Sequence, residues 1–379
     1  MTFDYCPLPH PGIQALNPYV PGKPSEEVAR EHGLTNIIKL ASNENPWGCS
    51  SKAYEALQSF QNECYATYPS PSNHPLHQHL CNRLDITEDM LILSNGSDAL
   101  FELLLIAFGL HHNKSVLVHE YSFIAFSICA QVLGIPTLSV PLKKDWHVDT
   151  EAMILACHQK QPAIIYLANP NNPVGAMLTH DELEQFLAAI PPSTLVLLDE
   201  AYYPYDTYSP PNTHKNHAFS LKGNLDLLSK HKNLIITRTF SKVYGLAALR
   251  LGYAVAAPEI IAPLLKIQLP FSVNQAALIA GNAALSDDDF IIQSIQANTE
   301  GKSQLQKGFE KLGVAYLPSF GNFMTIDCKK NAQGIYEKLL REGVIVRPLI
   351  SYGLPNYLRV TIGKPQQNIR FLDKLKLCL

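Results

Sequence analysis

Five short apolar runs recur along this chain: "SVLVH" at 115–119, "AIIYL" at 163–167, "TLVLLD" at 194–199, "LIITR" at 234–238 and "LGYAVA" at 251–256. None alternates apolar with polar, as a sheet with one wet face would. Continuous apolar runs of this length read as strands buried on both faces. Helical patterns lie between several of them. "THDE", from Thr179, is a capping box with Glu182 as its fourth member, and another helix starts near Ser97 and runs to about Phe108. Alternation of this kind predicts an α/β fold with a mostly parallel central sheet flanked by helices.

The chain is long enough for more than one domain. Its 379 residues are 46% hydrophobic and 17% charged, which supports a sizeable core and argues against global disorder. A net charge of −3, without long runs of one sign, points to neither nucleic acid nor an anionic membrane. The longest apolar stretch, "LILSNGSDALFELLLIAFGL", is interrupted by Asp98 and Glu102. A membrane span needs about 18 to 20 apolar residues in a row. The eight cysteines are scattered, with no C-x-x-C pair, and "MTFDYCPLPHPG" lacks the basic-then-apolar order of a secretory signal. Free thiols in a reducing cytoplasm follow from that reading.

Composition also divides the chain. Residues 1–45 are rich in Pro, Gly and Asn and read as an extended arm rather than a packed element. A large domain is expected over 46–269. In the last third, "GVAYLPSFGNFMTIDC" and "GVIVRPLISYGLPNYLRVTIG" read as strands and turns, with helices around 333–342 and 366–378. A smaller α+β domain over 270–379 is the expectation.

Parallel α/β sheets bind ligands beyond the carboxyl ends of their strands. There the chain places "ANPNNPVG" after "AIIYL", "DEAYY" after "TLVLL", and "TFSK" after "LIITR". The last cluster holds Lys242 among hydroxyls. A lysine amine attacks carbonyls once it is neutral, and burial favours that form. Its natural partner is an aldehyde cofactor, pyridoxal phosphate (PLP). PLP needs a phosphate cradle, a carboxylate for its pyridinium nitrogen and donors for its phenolate oxygen. Thr239, Ser241 and Arg250 suit phosphate oxygens, as do the backbone N–H groups of Gly96, Ser97 and Asp98 in "SNGSDAL". Asp199, at a buried strand end, can pair with the ring nitrogen, while Asn172 and Tyr202 can donate to the phenolate oxygen. Arg359, between apolar residues in "YLRVTIG", asks for an anionic partner.

Each cluster alone has an ordinary reading. "TFSK" could be a solvated lysine, "DEAY" a helix cap and "NPNNPVG" a turn. Their joint order at successive strand ends favours the cofactor. His74, His77 and His79 resemble a metal cluster, but the proline beside them and the absence of an acidic ligand favour a helix start with surface histidines.

The order "NGSD", "NPNNPVG", "DEAYY", "TFSKVYGLAALRLGY" and "LPNYLRVTIG" resembles the fold-type I PLP aminotransferases, and among them the histidinol-phosphate aminotransferase family. "LNPYVPGKP" and "IKLASNENPWG" are similar to that family's N-terminal arm, "ATYPSP" to its tyrosine segment, and "PSFGNFMTI" with "GVIVRPL" to its small domain. The resemblance implies that Lys242 bonds the cofactor aldehyde and moves the proton, and that Asp199 pairs with the ring nitrogen. It gives Asn172 and Tyr202 the phenolate oxygen, and Ser97, Asp98, Thr239, Ser241 and Arg250 the phosphate. Tyr121 would stack on the ring. Tyr68 would reach the phosphate in a neighbouring subunit, so a homodimer with shared sites is implied. Tyr19, Arg347 and Arg359 would hold the substrate anion, with Asn43 close by. The implied reaction moves the amine of L-histidinol phosphate to 2-oxoglutarate, in histidine biosynthesis. An aromatic amino acid aminotransferase and a PLP-dependent threonine-phosphate decarboxylase share the same mould. Where the family often has Ala-Gly-Leu-Arg, this chain has Ala247, Ala248, Leu249 and Arg250.

Overall fold

The computed structural model describes residues 8–16, 22–60, 65–205 and 221–379. After a short strand β1 (Ile38–Lys39), the chain lays down β2 (Leu91–Ser94), β3 (Val116–His119), β4 (Thr137–Val140), β5 (Ile164–Ala168), β6 (Leu195–Asp199), β7 (Leu234–Thr239) and β8 (Gly252–Ala256). Strands β2 to β8 form one sheet in the order β2-β8-β7-β6-β5-β3-β4. From β7 through β4 every pair is parallel; β8 runs antiparallel to both β7 and β2. Two reversals make β2 parallel to β7. One edge of the sheet therefore collects the carboxyl ends of β2, β3, β5, β6 and β7 together with the start of β8.

All five apolar runs are strands, and the structure explains their composition. In β5, Ile165 and Leu167 face one core cluster while Ile164, Tyr166 and Ala168 face another. Successive residues point to opposite faces, and both faces are dry. Helices Pro75–Leu84, Thr150–Lys160, His180–Ala189 and Gln275–Leu285 cover the first face; Asp98–Leu104, Ile124–Val132 and Pro258–Ile267 cover the second. The expected capping box is present: Thr179 Oγ1 accepts from the Glu182 N–H, and the Glu182 carboxylate accepts from the Thr179 N–H. The helix expected from Ser97 runs over Asp98–Leu104 and continues as a wider turn over Leu105–Gly109. Strands β2 and β4 were not anticipated. The first opens a long apolar stretch that hides its boundary, and the second is an edge strand with two exposed residues.

The C-terminal region holds β9 (Ala315–Tyr316), β10 (Phe323–Asp327), β11 (Val344–Ile345), β12 (Arg347–Leu349) and β13 (Leu354–Thr361). An antiparallel sheet runs in the order β12-β13-β10-β9. Helices Asp288–Leu312, Gln333–Arg341 and Pro365–Cys378 supply Leu305, Phe309, Leu339, Phe371 and Leu375 to its core. Val273, Leu278, Ile291 and Ile295 join the core of the large sheet, and Leu305 is the first residue of this stretch in the core of the small one.

The second half of the arm is packed rather than extended. Ser25–His32 is a helix with Pro24 as its N-cap and Gly33 as a left-handed C-cap at φ 64°. The Pro and Gly that suggested a loop are the punctuation of this helix. Its Val28 is buried with Ala41, Leu340 and Ile345, and β1 pairs in parallel with β11. No helix among the described residues is long and apolar enough to cross a membrane.

Candidate active site

The turn that follows β2 meets the start of β8. Gly96 has φ 78°, and a Cβ there would sit 2.5 Å from the Arg250 Nη2. A Cβ on Gly252 would sit 2.5 Å from the backbone N of Ser97. Both glycines thus permit a close approach that any side chain would block. Arg250 follows a tight turn, Ala247–Leu249, and is left-handed at φ 54°. Its Nη1 donates to Ser241 Oγ and to the Ala247 carbonyl, both at 3.2 Å, and its Nη2 lies 3.6 Å from the Asp98 carboxylate. Thr239 Oγ1 donates to Ser241 Oγ at 3.0 Å. Hydroxyls, a guanidinium and a glycine turn therefore share one corner.

Lys242 leaves the end of β7 by a turn through Gly245. Gly245 has φ 70°, and a Cβ there would fall 1.8 Å from the Gly48 carbonyl oxygen. The turn is thereby pressed against the segment before residue 50. The Lys242 ammonium donates to the Ser42 carbonyl at 3.3 Å and lies 5.7 Å from the Tyr202 ring. Burial, with the charge of Arg359 as the next cause, pushes its pKa down to about 8. A neutral amine is thus accessible near physiological pH.

Asp199 closes β6 and is buried. Its Oδ2 accepts from the Tyr166 hydroxyl at 2.7 Å; its Oδ1 accepts from the Ala201 N–H at 3.1 Å and from Thr237 Oγ1 at 3.5 Å. Burial pushes this carboxyl up to about 6, against the pull of the Tyr166 hydrogen bond. Three residues on, Tyr202 Oη accepts from Asn43 Nδ2 at 2.8 Å. The amide of Asn43 is fixed in turn, since its Oδ1 accepts from Thr361 Oγ1 at 3.2 Å. Burial holds the Tyr202 phenol well above its ordinary pKa, so it stays protonated.

Arg359 enters from β13. Its Nη1 donates to Asn172 Oδ1 at 2.5 Å and its Nη2 to the Ala41 carbonyl at 2.6 Å. Its Nε is buried with no partner among the described residues. A largely buried guanidinium lining a cleft, with no carboxylate partner among the described residues, is suited to an incoming anion.

These groups line one solvent-open cleft of about 740 Å³, where Asn43, Ser97, Asp98, Asn172, Asp199, Tyr202, Thr239, Ser241, Lys242, Arg250 and Arg359 come together. Gly96 is not among the lining residues but packs against the Arg250 guanidinium. Other expected residues lie elsewhere. Tyr121, left-handed at φ 55°, lines the adjoining recess, with its ring 5.8 Å from Trp146 and its carbonyl accepting from Asn171 Nδ2 at 3.1 Å. Arg347 is buried and directly opposite Arg359 in the β12–β13 register. Tyr68 is 81% exposed and stacks on Phe271 at 4.4 Å. Tyr19 lies outside the described residues.

Sequence reasoning missed Ser42, Phe123, Tyr166 and Thr237. Only Tyr166 carried a signal: a tyrosine inside an apolar strand must find a partner for its hydroxyl. Nor do the histidines gather. His74 caps the helix Pro75–Leu84 through its Nδ1, and His79 Nδ1 lies 3.0 Å from Asn282 Oδ1. No group of three metal-ligating side chains occurs among the described residues.

The sequence pattern of the class I and II aminotransferases matches residues 35–375. The chain is 51% identical over 377 residues to histidinol-phosphate aminotransferase 2 of Legionella pneumophila strain Lens, with 99% of each chain covered. To the enzyme of the same name from Pseudomonas aeruginosa it is 42% identical over 374 residues, with 98% of each covered. Among solved structures, histidinol-phosphate aminotransferase from Sinorhizobium meliloti, in complex with pyridoxal-5'-phosphate, superposes with a TM-score of 0.83 at 26% identity, covering 97% of this chain and 96% of that one. By its cleft, its fold and these relatives alike, the chain belongs to the class I and II aminotransferases and, within them, to the histidinol-phosphate aminotransferase family.

Proposed function

We propose that this aminotransferase moves the amine of L-histidinol phosphate to 2-oxoglutarate, giving imidazole-acetol phosphate and L-glutamate, and that it works with PLP. The observation that carries the reading is the convergence of Lys242, Asp199, Asn172, Tyr202, Arg250 and Arg359 on one cleft. Tests on the geometry favour the cofactor. The corner formed by Gly96, Ser97, Ser241 and Arg250 brings a guanidinium, a hydroxyl and a tight glycine turn together, a donor set that suits a phosphate. Asp199 is a buried carboxylate with no cationic partner among the described residues, as a pyridinium site requires.

When bound, PLP supplies an electron sink next to the substrate's amine-bearing carbon. The rest falls to the chain. Lys242 would hold the cofactor aldehyde until the substrate amine displaces it, and its freed, uncharged Nζ would then take the proton from that carbon and pass it on to the cofactor. Asp199 would hold positive charge on the ring nitrogen. Tyr202 and Asn172 would donate to the phenolate oxygen, and Gly96, Ser97, Asp98, Thr239, Ser241 and Arg250 would hold the phosphate, with Tyr121 near the ring. Arg359, helped by Arg347, Tyr19 and Asn43, would bind the phosphate of one substrate and a carboxylate of the other. A guanidinium suits both, because its planar fork matches either anion. Tyr68, exposed on one chain, is the group a second copy would receive; the active form is a homodimer in the cytoplasm.

A donor panel tests the substrate: histidinol phosphate, phenylalanine, tyrosine and threonine phosphate, each with and without 2-oxoglutarate. Histidinol phosphate is expected to turn over fastest and only with the acceptor. Faster turnover of phenylalanine or tyrosine would make the enzyme an aromatic aminotransferase. Turnover of threonine phosphate without an acceptor would make it a decarboxylase.

A further inference from the structure

Tyr166 reaches Asp199 from the neighbouring strand. It lies in register with Leu197, two residues before Asp199, and both side chains emerge on the same face of the sheet. Its ring is clamped: it stacks on Phe126 at 4.6 Å with planes 6° apart, and meets Phe101 edge-on at 5.4 Å. A ring so held can direct its hydroxyl in few ways. That hydroxyl donates to Asp199 Oδ2 at 2.7 Å, while Oδ1 is held by the Ala201 N–H at 3.1 Å. With both oxygens tethered, the carboxylate plane cannot swing.

We propose that Tyr166 is a positioning residue: clamped by Phe126 and Phe101, it fixes the carboxylate of Asp199 and keeps it charged for the protonated ring nitrogen of PLP. The inference rests on the cofactor reading above. Its physical basis is that a donor to a carboxylate favours the ionised form over the acid. Burial opposes that form, having pushed Asp199 up to about 6, and the Tyr166 hydrogen bond works against the rise. The other ionisable groups facing Asp199 across the cleft are Asp98, Tyr202, Lys242, Arg250 and Arg359. They remain in place in Tyr166→Phe and in Asp199→Asn. The simpler alternative is that Asp199 merely satisfies the donor of a buried tyrosine, which would be a packing role only.

Tyr166→Phe separates the two, because it keeps the ring and both aromatic contacts and deletes one oxygen. Apoenzyme of parent and variant is melted at about pH 5, where folded Asp199 is protonated, and at about pH 8, where it is ionised. The variant's loss of melting temperature is expected to be larger at the higher pH, and that extra loss is expected to vanish in the Asp199→Asn background. Titration of apoenzyme with PLP at about pH 8 is expected to show a Kd raised about tenfold, the lower end of what a hydrogen bond to a charged group contributes. The same melting deficit at both pH values overturns the proposal, as does an unchanged Kd. A parent apoenzyme that takes up no PLP defeats the cofactor reading instead, and the two melts still decide whether Tyr166 holds Asp199 charged.

Discussion

Arg359 and Asn172 share a 2.5 Å hydrogen bond that spans the cleft, from β13 of the small sheet to the loop after β5 of the large one. A second nitrogen of the same guanidinium donates to the Ala41 carbonyl at 2.6 Å, so two segments besides its own strand orient it. None of these partners carries charge. A buried cation without a counter-ion is costly, and an anionic substrate group would relieve that cost.

Arg359→Lys keeps the charge and loses the planar fork. With histidinol phosphate and with glutamate, kcat/KM is expected to fall about 100-fold, the scale of a lost bidentate pair. Steady-state kinetics with each donor, alongside PLP absorbance to confirm cofactor retention, makes the check. A loss confined to one donor would show that the two anions do not share Arg359.

Behind the strand ends lies a buried charge pair that does not line the cleft. Arg238 donates through Nε and Nη2 to Glu200 Oε2 at 2.8 and 2.7 Å, and Asn224 Nδ2 donates to Glu200 Oε1 at 2.6 Å. The side chain of Glu200 is 0% exposed and that of Arg238 4%. Glu200→Ala leaves the guanidinium buried and unpaired, so a loss of about 3–5 kcal/mol is expected from the shift in denaturant midpoint. Because Glu200 follows Asp199 directly, activity should fall in step with the folded fraction and not ahead of it.

The large sheet was legible because its strands are dry on both faces, so composition alone marks them. The gathering of polar residues at their ends was legible for a related reason. Polar residues that follow a buried strand have few structural excuses, and Asn172, Asp199, Tyr202 and Lys242 all stand there. What escaped was whatever depends on contacts distant in sequence. Thr237 and Tyr166 hide inside apolar runs, and only the β5–β6–β7 register brings them to Asp199. The arm was misread because Pro24 and Gly33 mark the ends of a helix as well as they mark a loop. Nor does anything local say which sheet a helix will cover, as Val273 and Ile291 in the core of the large sheet illustrate.

Thr361 controls the cleft through Asn43. Its hydroxyl accepts from the Asn43 N–H at 2.9 Å and donates to Asn43 Oδ1 at 3.2 Å, which leaves Nδ2 to donate to Tyr202. With a lone pair of Tyr202 occupied, its own proton is free to point into the cleft. Thr361→Val keeps the shape and removes both bonds, allowing the Asn43 amide to turn over. A kcat about tenfold lower, with little change in KM, is expected at saturating donor. An unchanged kcat would mean that Tyr202 is oriented by something other than Asn43.

Lys242 is expected to make the apoenzyme less stable than it need be. Burial, then the repulsion of Arg359, lowers its pKa from 10.5 to about 8. At neutral pH the folded chain therefore holds a charge that the unfolded chain holds more comfortably. A shift of that size corresponds to about 3 kcal/mol, an upper bound. The sign follows from the depressed folded value: the penalty is complete below about pH 8, shrinks as pH rises toward the unfolded value, and is gone above it. Lys242→Met keeps the apolar stem and removes the charge. The variant should lose transamination entirely and retain no PLP after gel filtration. Its apo form should nevertheless melt above the apo parent at neutral pH, and that advantage should fade between about pH 8 and pH 10. A variant that melts lower than the parent at neutral pH, or a difference that ignores pH, would show that the cleft already solvates the ammonium. The lysine would then reach its neutral form only with help from the bound cofactor.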